Sequence, residues 1–338
     1  MLHTRRLSIA LLVALLLVTV GLPAASAADP IQTAVKAAVQ WLHTQQLADG
    51  SFGGTTKQPS AAITSDVVYV LALAGEDVDG PAWTKGGVSA LDALAKMTAG
   101  YVGTDAGQAG KVARAAAAGG ANPRAFGGID LIAVIEKAYD PATGRYHPSF
   151  LFRQTLAMEG LRVAGEPVPA KAYEALRAGQ LADGGWAWAY PTPEKAPSPD
   201  IDSTGRVLQT LSAQSQGVCD IDILSGVNYL LRTQLSAGDW PDLSTKTAGN
   251  ANSTGLAVGG LRSVGRDPAA APFIKGGRSA LQALLSYQEA SGAFAYMAEA
   301  GKEELRITAT TDALMGLLQP IGTAGRCLSV YLPVLLAR

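Results

Sequence analysis

The sequence predicts an all-α chain folded as a closed (α/α)6 toroid of six helical hairpins. Three observations predict it. A glutamine followed four residues later by glycine and six later by an aromatic occurs four times, as Gln46-Gly50-Phe52, Gln180-Gly184-Trp186, Gln234-Gly238-Trp240 and Gln288-Gly292-Phe294. The last three recur every 54 residues at all three positions, which marks an array of one supersecondary unit. Each signature also closes an Ala/Leu-rich stretch of helical spacing, and a second such stretch follows it. Finally, the second stretches (VVYVLALA, GRVLQTLSA, GLAVGGL, ALMGLL) are apolar nearly all round, whereas the first carry Lys, Arg, Gln and His on one side. The former should be buried as an inner ring and the latter should wrap them.

The elements follow in chain order. Residues 35–44 form the first outer helix, the Gly50 turn ends it, and Thr64-Ser65-Asp66 opens the first inner helix. The second hairpin is more degenerate: KGGVSALDAL at 85–94 matches KGGRSALQAL at 275–284, and a helix over 104–118 follows. In the third, Asp140 replaces glutamine ahead of Gly144 and Tyr146, and a helix over 149–164 follows. The last three pair outer helices at 170–179, 226–233 and 277–287 with inner helices opening at Asp202-Ser203-Thr204, Asn252-Ser253-Thr254 and Thr310-Thr311-Asp312. Hydroxyl, carboxyl and amide side chains accept hydrogen bonds from the free N–H groups of a first turn, so these clusters read as helix caps. The signature glycine is expected to supply a left-handed helix cap, with the aromatic folded back over the last turn.

The ends read differently. Arg5 and Arg6, the apolar run 9–20 and Ala25-Ser26-Ala27 have the order of a secretory signal, so residues 1–27 are expected to be removed and the mature chain to be secreted or held at the cell surface. The toroid then occupies 28–322, and 323–338 form an apolar tail too short to span a bilayer. A net charge of −1 gives no basic footprint for nucleic acid. Cys219 and Cys327 are the only cysteines, and an oxidising compartment would allow them to pair. Two periods separate them, which by pseudo-symmetry places them roughly 20 Å apart in the ring. A disulfide therefore depends on the tail swinging back, and the sequence leaves both states open.

The repeat resembles the QW-type repeat of the prenyltransferase/squalene-oxidase superfamily over roughly residues 31–320. That superfamily shares the toroid and includes protein prenyltransferases, squalene–hopene cyclases and cobalamin carriers. The resemblance implies the fold more firmly than an activity. His43 and His147 are the only histidines after residue 27, and no CxxC, HxxxH or HExxH spacing occurs, so neither zinc nor any other cofactor is expected. Asp200-Ile201-Asp202-Ser203-Thr204-Gly205 is similar to the Asp-x-Asp-Asp-Thr-Ala motif of class II terpene cyclases, with Asp202 matching the proton donor and Ser203 replacing the next acid. The chain is only 6% aromatic, a poor supply for the cation–π walls of carbocation chemistry. Cobalamin carriers of this shape trap their ligand against a second domain, which a carrier reading would have to find in a partner.

The expectation is therefore a binding module for a small molecule or a surface protein. Parallel inner helices bring six N-termini to one mouth, each with donor N–H groups and a partial positive charge. Asp66, Arg153, Asp202, Arg206, Asn252, Arg306 and Asp312 are expected there, with Trp188 and Tyr190 overhanging from the Pro-rich loop. An isoprenoid cyclase-like enzyme, with Asp202 as its acid, is the alternative.

Overall fold

The computed structural model describes residues 29–195, 197–214, 220–243, 246–297 and 305–322. The proposed signal and apolar tail, and both cysteines, lie outside them. Twelve α-helices are present among the described residues: α1 (Pro30–Gln45), α2 (Ala61–Leu73), α3 (Ala90–Val102), α4 (Ala106–Ala118), α5 (Leu131–Ala138), α6 (Leu151–Val163), α7 (Ala170–Ala178), α8 (Ile201–Ser212), α9 (Ile221–Thr233), α10 (Ala251–Ser263), α11 (Ala280–Leu285) and α12 (Arg306–Leu318). The even-numbered helices pack in sequence order and α12 returns to pack on α2, closing an inner ring. The odd-numbered helices lie outside, with α1 against α12 across the closure. Leu208 of α8, Leu256 of α10 and Leu314 of α12 are all buried.

The signature glutamine fastens one hairpin to the next. Gln46 Nε2 donates to Gly50 O (2.9 Å) within its own turn and to Trp83 O (2.7 Å) ahead of α3. Gln180 bonds Gly184 O and Asp222 O in α9, and Gln234 bonds Gly238 O and Phe273 O ahead of α11. Gln288 bonds Gly292 O and Ala34 O in α1, so the last hairpin is tied to the first. The glycine is not the helix cap expected from the sequence. It sits in a separate turn beyond the helix end, at φ +85° for Gly50, and a Cβ there would lie 2.5 Å from Val88 O of the neighbouring hairpin. The aromatic does fold back: Trp186 Nε1 donates to Leu176 O and Trp240 Nε1 to Leu230 O in the outer helix just completed.

The third hairpin solves the same problem from the other side. With Asp140 in place of glutamine, the inner-helix residue Gln154 supplies the amide, donating to Gly144 O (2.9 Å) and Ala172 O (3.3 Å) in α7. Three β-hairpin turns also precede outer helices. β1 (Thr84–Lys85) pairs with β2 (Val88–Ser89), β3 (Ile274–Lys275) pairs with β4 (Arg278–Ser279), and Phe126 bridges Ile129. The third of these, AFGGID, went unnoticed in the sequence because its flanks depart from KGG.

Inner helices approach closely where glycines face. A Cβ on Gly255 of α10 would lie 2.5 Å from Asp312 O of α12, and one on Gly205 of α8 would lie 2.4 Å from Leu256 O of α10. The lumen is correspondingly narrow and is filled by side chains.

Candidate functional site

One hydrogen bond sets the depth of five of the six inner helices. The N–H of the signature aromatic donates to a hydroxyl at the fourth helical position: Phe52 to Thr64, Trp186 to Thr204 and Trp240 to Thr254. Phe294 donates to Thr310, the fifth residue of α12, and Tyr146 donates instead to Gln154 Oε1. These helices therefore share a register, and residues two before and two after that position lie on one face. The shallower level holds Phe152, Asp202 and Asn252, and the deeper one Asp66, Arg206 and Asp312.

The caps lie earlier than the sequence suggested. Ser60, Asp200 and Asn250 accept the first-turn N–H groups of α2, α8 and α10, and the N-cap position of α12 is Leu305, without a side-chain cap bond. The clusters at Thr64-Ser65-Asp66, Asp202-Ser203-Thr204, Asn252-Ser253-Thr254 and Thr310-Thr311-Asp312 are inside the helices. Short polar residues suit both places, so the sequence alone misplaced the helix starts by up to a turn. Asp202 is thereby released from capping. At α6, His147 Nδ1 accepts from Ser149 N and Phe150 N, a structural use of that imidazole.

The deeper lumen is an ionic network. Lys111 and Arg114 of α4 both reach Asp66, at 2.6 and 2.7 Å. Arg114, fully buried, also grips Glu159 of α6 at 2.6 Å and lies over the Tyr69 ring, whose hydroxyl donates to Glu159 Oε1. Arg206 of α8 approaches the same Glu159 at 3.2 Å. Burial alone would push the Glu159 carboxyl up, but Arg114 and Arg206 outweigh it and hold the group down at about 2. Asn252 Nδ2 donates to Asp312 Oδ2. Burial pushes Asp312 up to about 6, a rise that the Arg206 charge limits.

Asp202 has a different setting. Its Oδ1 is buried without a hydrogen-bond partner. Burial, with the nearby carboxylates of Asp200, Asp312 and Asp242, pushes its carboxyl up to about 7, while a hydrogen bond with Ser253 opposes the rise. On the neighbouring helix at the same level, Phe152 stacks on Trp188 with centroids 4.6 Å apart and rings 20° from parallel. Trp188 is 47% exposed, so its outer face is open at the rim. The mouth thus sets an aromatic shelf beside a carboxyl with one oxygen unpaired.

The remaining expected residues separate. Arg153 stays at the rim, paired with Asp105 at the start of α4 and lying over Phe150. Arg206 turns down the lumen, away from the mouth. Tyr190 does not overhang: it is 4% exposed, with the Arg145 guanidinium 3.8 Å above its ring. Arg306 pairs with Glu289 of the outer wall instead of joining the lumen. Lys111, Arg114 and Glu159 were missed, although a lone Arg within the alanine run of α4 was a readable sign.

No protein-family model matches the sequence, and a comparison with curated proteins finds no match. Solved structures do match. The chain is similar to the type II terpene cyclase MstE from Scytonema, at a TM-score of 0.59 and 15% identity over 86% of this chain and 98% of that one. It is similar to an inactive variant of the α-1,6-mannanase GH76A of Salegentibacter sp. HEL1_6 in complex with α-1,6-mannotriose, at a TM-score of 0.61 and 10% identity over 86% and 98% of the two chains. A protein from Actinoplanes matches at a TM-score of 0.58 and 14% identity over 85% and 98%. The fold is an α/α toroid. Identities this low carry the fold alone.

Proposed function

We propose that this toroid is a binding module that seats a polar, hydrogen-bond-donating ligand at the mouth where the inner-helix N-termini converge. The observation that carries it is Asp202, whose buried Oδ1 has no partner and which caps nothing, beside the open face of Trp188. A buried polar atom left unpaired costs about 1–3 kcal/mol, which a ligand donor would recover. Hydroxyl or amine donors would meet Asp202 and Asp312, while a flat apolar face would lie on Trp188, the mixture typical of small-molecule sites. Small polyhydroxylated compounds fit this description, and the mannotriose complex of a similarly shaped toroid supports including saccharides. Export, on the evidence of the N-terminal segment, would place the site outside the cytoplasm.

The test is to purify the exported protein, identify co-purifying small molecules by mass spectrometry, and titrate them and a saccharide panel against Trp fluorescence. Asp202→Ala and Trp188→Ala should each weaken binding by about 1–3 kcal/mol. Wild-type affinity in both variants would remove the mouth from consideration.

One observation favours an enzyme as the second reading. A carboxyl that stays protonated up to about pH 7 is suited to general-acid work, and several similarly folded proteins are enzymes. The charged lumen is a poor wall for carbocation chemistry, so a polar substrate fits this reading better than a polyprenyl chain. Product formation that Asp202→Asn abolishes would establish it over simple binding.

A further inference from the structure

A cavity of about 90 Å³ opens at the end of the ring opposite the inner-helix N-termini, near the C-termini of α6 and α8. Its walls include Glu159, Arg162, Tyr173, Arg206 and Gln209. Arg206 is 5% exposed and poorly served for a buried cation. Its Nη1 reaches Glu159 at 3.2 Å, its Nη2 meets only the Met315 sulfur at 3.2 Å, and its Nε has no partner. Thioethers are weak acceptors, so most of the guanidinium's donor capacity is unused. Arg114, two inner helices away on α4, has two carboxylates at 2.6 and 2.7 Å. Glu159 is shared, since it also receives Arg114 and the Tyr69 hydroxyl.

Two more donors face the same space. Gln209 Nε2 is buried without a partner, and it occupies room that Gly259 of α10 leaves open, where a Cβ would lie 2.4 Å from it. Arg162, one turn beyond Glu159 on α6, stands exposed at the cavity rim and forms no salt bridge among the described residues. Arg162 and Arg206 thus face a single carboxylate, Glu159, within the walls, which leaves a cation in excess. Helix C-termini repel anions, so any anion here must be held by these side chains rather than by backbone. The volume is about that of three waters, which suits one small oxyanion group and little else.

The geometry points to a small-oxyanion site at this C-terminal mouth, built by Arg206, Gln209 and Arg162 and taking a carboxylate or phosphate group. The group could be a free ion or the acidic end of a larger molecule that reaches in past Arg162. This site is separate from the mouth at the inner-helix N-termini and does not depend on a ligand being bound there.

The test uses the full exported chain with sodium acetate and inorganic phosphate as probes, against sodium chloride at matched ionic strength. Thermal melting and isothermal titration should show saturable binding of at least one probe. Arg162→Ala, a change at an exposed position, should weaken it roughly tenfold, in line with a charge-assisted hydrogen bond. Gln209→Met should weaken it less. Arg162→Ala should leave saccharide or co-purified ligand binding at the other mouth unchanged. An absence of saturable binding relative to chloride, or equal affinity in wild type and Arg162→Ala, would overturn the assignment and leave the cavity as a water site. A free-ion site would bind acetate no more weakly than longer carboxylates. A preference for a longer carboxylate would identify the tethered form.

Discussion

Asp202 and Glu159 make opposite demands on pH although both are carboxyls in one lumen. Asp202 is pushed up from its ordinary value of 3.8 to about 7, and Asp312 to about 6, so the folded chain keeps protons that the unfolded chain releases near pH 4. Their contribution to stability is full below pH 4 and is lost as pH rises towards 7. Glu159 is held at about 2 against an ordinary 4.5, so its contribution holds above pH 4.5 and is lost as pH falls towards 2. Melting temperatures measured from pH 4 to 8 should therefore decline, and Asp202→Asn should flatten that decline and raise the midpoint at pH 8 by a few degrees, about 1 kcal/mol. An unchanged slope in the variant would show that Asp202 is solvated. Of these residues the sequence singled out Asp202 and Asp312, because acids at the head of apolar helices are conspicuous. Arg114 stood out only as a lone Arg in an alanine run, and its pairing with Glu159 was not legible, because it depends on the relative depth of helices far apart in the chain. Tyr190 was misread for a related reason: a tyrosine after a tryptophan in a Pro-rich loop looks exposed until Arg145 is seen to cover it.

At the scale of the hairpin, a few side chains set how the helices meet. The 54-residue period made the pairing of outer and inner helices legible, since the same Gln, Gly and aromatic must recur wherever the same turn recurs. The starts of the inner helices were less legible, because a Thr tied to the preceding turn has the same chemistry as a Thr that caps. Gln234→Leu should remove two buried hydrogen bonds, to Gly238 O and Phe273 O, and cost about 2–3 kcal/mol in denaturant unfolding. Gly255→Ala should force α10 from α12, where Asp312 O stands 2.5 Å from the new methyl, and cost about 1–3 kcal/mol. A neutral result for Gly255→Ala would mean that the inner ring can widen without penalty.

For the molecule as a whole, closure distinguishes this array from an open solenoid. In an open stack, terminal repeats contact one neighbour and fray first. Here α1 packs on α12 and takes the Gln288 amide, so the two ends of the described chain are joined. Hydrogen exchange should accordingly find α1 protected to a degree similar to α6, and Gln288→Ala should lower protection in both α1 and α11. Fraying of α1 alone in the wild type would argue against a cooperative ring. The joint between the third and fourth hairpins has a further consequence. Averaging the repeats to obtain a consensus sequence would place threonine at position 154, as at positions 64, 204, 254 and 310. Elsewhere that choice is sound, because a glutamine on the outer helix completes the joint. At 154 it would delete the bonds to Gly144 O and Ala172 O together, with Asp140 unable to supply an amide. Consensus engineering, usually a safe route to stability, would here loosen the ring at a joint that departs from the common pattern.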